Sequence, residues 1–318
     1  TGANTGIGFH AAEQLALQGY HVVLACRSQA RAEEALRHLR GDHGDGISAE
    51  VRLLDLGSFA SVRRFADGLS DDVRGCGRTL KVLLCNAGLN SRSVSQAPED
   101  QLTQDGVDVL YQTNFLSHLL LALLLLPLLR SARGRVVSVT SVMHRGASRE
   151  DLPLARRTRD PYVSLYGFSK LAQLAAAAEL HRRFGGDGRV AFHCVNPGGV
   201  ASDIWREYPA WQRWAFSRVL AAPERAARTV ALACACEEGA PPSEPAYWNG
   251  YLGADLASAF EYWSPWSAGG RLVPSRPGEA ALDASFAQRL WEDSISALRA
   301  GGHLEGVCLG DAPSSDRT

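Results

Sequence analysis

The chain has 318 residues, 46% of them apolar and 21% charged, with a formal net charge of -1. That length supports one large core. The near-neutral charge without a basic stripe excludes a protein that tracks a phosphate backbone, so nucleic acid is not an expected partner. Seven scattered cysteines (Cys26, Cys76, Cys85, Cys194, Cys234, Cys236, Cys308) form no CxxC pair; no metal site is expected, and the thiols read as buried or free in a reducing compartment.

The sequence opens with TGANTGIG (1–8). A glycine-rich turn of this kind normally joins a buried strand to a helix and cradles a pyrophosphate with backbone N–H groups. Gly2, Asn4, Thr5, Gly6, Ile7 and Gly8 are therefore the expected cofactor loop, although such turns also occur as ordinary helix starts. GFHAAEQLALQG then reads as a short helix stopped by Gly19, and HVVLAC (21–26) as a buried strand. The alternation continues with helix 28–40, strand 49–56, helix 58–69, strand 80–88, helix 105–131, strand 135–141, helix 164–183 and strand 189–197. Short apolar strands alternating with helices predict an α/β fold, a Rossmann-like doubly wound parallel sheet in three α/β/α layers. The apolar run FLSHLLLALLLLPLL (115–129) is broken by polar residues and falls short of the ~20 residues that span a bilayer, so it reads as a core or subunit-interface helix.

Two side-chain patterns carry chemistry. The first strand ends in Cys26-Arg27, where an NAD-specific site would offer an acid to the ribose 2′-hydroxyl. A guanidinium there suits a 2′-phosphate and favours NADP(H) over NAD(H); the alternative is a solvated helix-start residue. Downstream, Ser141 ends a strand and YGFSK places Tyr166 and Lys170 four apart on one helix face. A neighbouring ammonium is expected to lower the phenol pKa, so that Tyr166 exchanges a proton while Ser141 hydrogen-bonds a carbonyl oxygen. Only two of the 33 basic residues are lysines, Lys81 and Lys170, which sharpens the reading of the pair. His144, three after Ser141, reads as a surface or hydrogen-bonded histidine.

TGANTGIG, LDL (54–56), NAG (86–88), Asn114, Ser141, YGFSK and NPGGV (196–200), in that order, resemble the short-chain dehydrogenases/reductases. HVVLACRS, the long interval from Ser141 to Tyr166 and a late GYL, WSP, LW pattern (250–252, 264–266, 290–291) resemble their retinol-dehydrogenase-like and WW-domain-containing-oxidoreductase-like branch. The likeness spans about residues 1 to 298. It implies that Asp55 and Leu56 meet the adenine and that Asn86, Ala87 and Gly88 line the cofactor site. It also implies that Asn114 holds a relay water through Lys170, and that Lys170 bonds the nicotinamide ribose. Pro197, Gly198, Val200 and Ser202 would meet the carboxamide end. Around Asn114 the family reads NHLGH where this chain has NFLSH.

The resemblance implies an NADP(H)-dependent oxidoreductase interconverting carbonyl and alcohol. The aromatic stretch 203–223 suggests a lid over a lipophilic retinoid, steroid or polyprenoid-like substrate, or an amphipathic helix resting on the core or on a membrane surface. A nucleotide-binding scaffold without turnover and an enzyme like protochlorophyllide reductase are the alternatives. One domain is expected over 1–299, with a polar tail over 300–318 that does not pack. Family likeness suggests a homodimer through helices 105–131 and 164–183. Relatives carry a hydrophobic strand before the glycine turn, so the chain is expected to lack its first strand, leaving two internal strands without a partner. Such a start leaves localisation open.

Overall fold

The computed structural model describes residues 1–44, 46–90, 93–94, 101–147, 164–235, 246–249 and 272–309. Parallel pairing joins β1 (Val22–Cys26) to β2 (Ala49–Leu53). A second sheet runs β3 (Val82–Cys85), β4 (Gly134–Val139), β5 (Val190–Asn196), β6 (Ala246–Asn249), β7 (Val273–Pro274), parallel throughout except for the last pair. The predicted doubly wound α/β architecture is observed, divided between two sheets. Thr1 and Gly2 link them: the Thr1 amino group donates to Leu84 O at 2.8 Å, and Gly2 N donates to Ala25 O at 2.9 Å. Strands β6 and β7 fall in a stretch where the apolar pattern is too short to announce them.

The helices cover both faces. α1 (Gly6–Leu17) closes as predicted at Gly19, whose N–H reaches Ala16 O while Tyr20 N reaches Leu15 O. This 5→2 and 6→1 pairing requires a left-handed residue, and Gly19 has φ +88°. α2 (Gln29–His43) packs with α1 on one face through Leu39, Ala16 and Ala32. α7 (Pro223–Ala235) joins α1 there, where Ala11, Leu15, Ala227 and Val230 meet Val137 and Val195 of the sheet.

On the other face lie α3 (Phe59–Gly75), α4 (Val109–Ser131) and α5 (Ser164–Leu180), with α8 (Ala284–Ala300) outside them. Side-chain caps fix their starts: Ser58 Oγ accepts from Ser61 N, and Asp283 Oδ1 accepts from Ser285 N and Phe286 N. α6 (Ala210–Val219) is discussed with the site. α4 is long and apolar enough to cross a membrane, yet it is the core helix: Leu119 to Leu123 are all buried between α3, β3 and α5.

One expectation needs correction. The tail was expected to be unpacked, but over 300–309 it packs: Leu304 is buried with Val307 and Leu309 against the core, Phe59 stacks on His303, and Arg63 Nη1 donates to His303 O at 2.6 Å. Leucine and valine inside a polar stretch supply the anchor, a spacing too sparse to register as a periodic element. Residues 310–318 lie outside those described, as does the GYL and WSP part of the late pattern. On α5, Phe286, Leu290, Trp291 and Leu298 of α8 pack within the chain. Leu304→Ala should lower stability by about 2–3 kcal/mol, read by denaturant unfolding. An unchanged midpoint would mean that 300–309 does not pack.

Candidate active site

The glycine turn lies at the mouth of a cavity of ≈ 1310 Å³. Gly2 and Gly6 take φ +63° and +57°, values that a side chain disfavours. A Cβ at Gly8 would run into Gly2 O and Asn86 Nδ2, so glycine is sterically required there. Asn86 locks the turn from β3: its N–H donates to Thr1 Oγ1 and its amide to Thr1 O, both at 3.0 Å. Gly2, Asn4, Thr5, Gly6, Ile7 and Gly8 all line the cavity, with the first turn of α1 pointing its free N–H groups into it.

Arg27, Asp55, Leu56, Asn86, Ala87, Gly88, Pro197, Gly198, Val200 and Ser202 line the same cavity, as does every catalytic candidate except Asn114. Arg27 is exposed at the end of β1, with Arg31 from α2 beside it on the wall. Asp55 Oδ1 accepts from Gly57 N at 2.9 Å, a local turn that leaves its other oxygen toward the space. The residues present suit a dinucleotide: a glycine cradle that any Cβ would fill, a helix N-terminus for a pyrophosphate, and guanidinium groups at one end.

At the opposite end stand Ser141, Tyr166 and Lys170. β4 delivers Ser141 into a tight turn, Val142–Gly146, where its Oγ accepts from Met143 N at 3.3 Å. α5 delivers the other two. Gly167 lets α5 approach that turn: a Cβ there would stand 2.7 Å from Met143 O. The Ser141 side chain lies near enough to Tyr166 to favour its ionised form. Lys170 is buried, its Nζ donating to Val139 O at 2.9 Å and lying 5.6 Å from the Tyr166 ring centre. That single bond leaves two of its three N–H groups for a ligand.

The electrostatics depart from expectation. Burial raises the Tyr166 phenol to about 12 against the lowering effect of Ser141, and burial lowers the Lys170 ammonium to about 8. Desolvation penalises both charged forms and outweighs the attraction that would have lowered the phenol. In this state the Tyr166 phenol keeps its proton.

Asn114 also differs from its expected role. It sits in a π turn, Gln112–Leu116, within α4, with its side chain closed on Leu89: Oδ1 accepts from Leu89 N at 2.7 Å, and Nδ2 donates to Leu89 O at 2.9 Å. Its carbonyl accepts from His118 Nδ1 at 3.0 Å and Gln173 Nε2 at 2.7 Å. Both lone pairs are committed, so a relay water has no free position on that oxygen. Asn114 braces the loop behind Gly88; a Cβ on Gly88 would be 3.4 Å from Asn114 Oδ1 and 3.7 Å from Lys170 Nζ.

Residues 203–208 close over the cavity through contacts that sequence reading missed. Thr5 Oγ1 donates to Asp203 Oδ2 at 2.6 Å, Asn90 Nδ2 donates to Ile204 O, and Trp205 Nε1 donates to Val200 O at 2.8 Å. The partners are 198 and 114 residues apart in the first two cases, and no local pattern pairs them. Trp205, Tyr208 and Phe216 form an aromatic cluster. α6 buries no residue, and Trp211 and Trp214 are 69% and 64% exposed, which excludes a helix packed on the core.

Residues 1–213 match the short chain dehydrogenase family. The chain belongs to that family. It is 39% identical to the WW domain-containing oxidoreductase of Danio rerio over 209 residues, 63% of this chain and 48% of that protein, so it spans about half the length of that relative. It is 36% identical to Homo sapiens retinol dehydrogenase 11 over 242 residues, 75% of this chain and 72% of the relative. Among solved structures it resembles an uncharacterized protein of Mycobacterium paratuberculosis (TM-score 0.67, 29% identity, 93% of this chain and 91% of that one). It also resembles the angucycline C-6 ketoreductase LanV with bound NADP (TM-score 0.56, 25% identity, 74% and 86%). The match shows the family; what the chain acts on is taken up below.

The buried ammonium gives the site a pH signature. Unfolded Lys170 keeps its proton up to its ordinary 10.5, whereas folded Lys170 releases it near 8. The unfolded state therefore binds more protons in that window, and stability rises with pH across it. Between pH 8 and the ordinary tyrosine value of 10, the wild-type apoprotein should gain on the order of 1–2 kcal/mol relative to Lys170→Met. Parallel stability profiles for the two proteins would contradict a desolvated Lys170.

Proposed function

We propose that the protein is an NADP(H)-dependent carbonyl reductase acting on a lipophilic aldehyde or ketone of retinoid, steroid or polyprenoid type. The observation that carries this reading is one cavity lined by Arg27 and Arg31 as well as by Ser141, Tyr166 and Lys170. Two guanidinium groups suit a 2′-phosphate, which accepts charge-assisted and bidentate hydrogen bonds. Trp205 and Tyr208 line the wall near the lid and offer apolar surface to a long hydrophobic substrate.

When bound, the nicotinamide supplies the hydride. The chain's own groups handle the oxygen and its proton. Ser141 Oγ accepts from Met143 N, and its O–H, which favours the ionised Tyr166 phenol before substrate enters, would turn to donate to the substrate carbonyl oxygen. Tyr166, held neutral by burial, donates its phenolic proton to that oxygen as negative charge develops. Lys170, 5.6 Å from the ring, stabilises the phenolate left behind. The contacts of Thr5 with Asp203 and of Asn90 with Ile204 tie the 203–208 segment to the cavity wall.

Retinal reduction with NADPH and with NADH tests the reading. NADPH should be preferred by at least about tenfold in kcat/KM, and Arg27→Ala should lose most of that preference. Tyr166→Phe should abolish turnover while keeping thermal stabilisation by NADPH. An Arg27→Ala protein with an unchanged cofactor ratio would remove the 2′-phosphate assignment. Stabilisation by NADPH without reduction of retinal, a steroid ketone or a polyprenal would mark a binding scaffold.

A further inference from the structure

The sequence reading left His144 without a role. It lies in the tight turn after Ser141, fully buried, and both ring nitrogens are engaged. Nδ1 lies 2.6 Å from Ser141 O, and Nε2 lies 2.9 Å from Gly278 N. A carbonyl oxygen cannot donate and a backbone N–H cannot accept, so the partners dictate the tautomer: Nδ1 carries the proton and Nε2 is bare. Ser141 O accepts a second bond from His144 N at 3.2 Å. The catalytic serine's carbonyl is thus held by the backbone and the ring of one residue.

The other end of the ring is anchored far along the chain. Gly278 precedes the turn Glu279–Leu282, which leads into α8. A Cβ on Gly278 would lie 3.4 Å from His144 Cδ2 and 3.5 Å from Nε2, so this loop rests directly on the imidazole. The Tyr247 ring stands edge-on to it, with centres 5.6 Å apart. Beside this contact, Arg145 Nη2 donates to Arg276 O at 2.8 Å, a second tie between the same two segments that bypasses Ser141. Burial holds the His144 imidazole neutral, with its pKa lowered to about 4. An imidazolium would carry a donor at Nε2 and lose the Gly278 bond.

We propose that His144 is a positioning residue: a neutral imidazole strap, anchored on Gly278, that holds the Ser141 backbone so that its hydroxyl faces the substrate oxygen. This rests on the reading of Ser141 given above. A structural histidine would contribute stability alone. A strap on the serine contributes to turnover as well, because small misplacements of a positioned donor cost rate.

The test compares Ser141→Ala, His144→Phe, His144→Asn and Arg145→Ala in retinal reduction with NADPH, with thermal melts of each and nitrogen-15 NMR of the wild-type imidazole. His144→Phe should lose on the order of 10- to 100-fold in kcat with KM for NADPH unchanged. His144→Asn, whose amide can still donate to Ser141 O, should recover most of that loss but not the lost stability. Arg145→Ala should melt earlier at full kcat. An inactive Ser141→Ala beside a fully active His144→Phe overturns the strap and leaves the site reading intact. A fully active Ser141→Ala overturns the site reading instead. The imidazole spectrum tests the geometry separately: a neutral Nδ1–H ring at pH 7 is expected, and an Nε2–H ring or an imidazolium overturns the strap whatever the kinetics of Ser141→Ala.

Discussion

The site depends on the contact between Gly167 of α5 and the Met143 carbonyl of the turn after β4. Ser141 belongs to the sheet and Tyr166 to a helix, and they work only if those two elements approach to hydrogen-bonding distance. A Cβ at residue 167 would stand 2.7 Å from Met143 O, well inside van der Waals contact. The glycine in YGFSK is therefore a spacer of zero thickness. It sets how far the phenol stands from the serine, while His144 restrains the same turn from its other side.

Behind this contact the ionisable groups are desolvated. Tyr166 and Lys170 are both pushed toward their neutral forms by burial, and His118 and His144 are held neutral, near 3 and 4. Their hydrogen bonds fix tautomers and carbonyls rather than store charge. The neighbouring Cys85 and Cys194 thiols are raised to about 12 and offer no thiolate to Lys170. Among the described residues, the ammonium's hydrogen-bond partner is the Val139 carbonyl rather than a carboxylate. A site arranged in this way holds a proton on the phenol until negative charge arrives on a substrate oxygen.

Much of this was legible in the sequence where chemistry and local spacing coincide. The glycine turn, Arg27 and the Tyr166–Lys170 helix face are local patterns, and each lines the cavity. The alternation of strands and helices fixed the fold class, and Gly19 marked a helix end through a conformation that glycine adopts cheaply. Three things were hidden because they are decided by tertiary contacts. The phenol pKa depends on burial, which no four-residue spacing encodes. Asn114 is committed by Leu89, His118 and Gln173, which lie in three parts of the chain. The packed segment 303–309 rests on Leu304 alone among its fully buried residues, too little for a periodic signal.

The most direct test is the kcat of Gly167→Ala, measured alongside its thermal stabilisation by NADPH. If close approach of α5 to the Ser141 turn sets the catalytic geometry, the added methyl should cut kcat by on the order of 100-fold while NADPH still stabilises the protein. An alanine variant with wild-type kcat would show that the serine and tyrosine are brought together by something other than this contact.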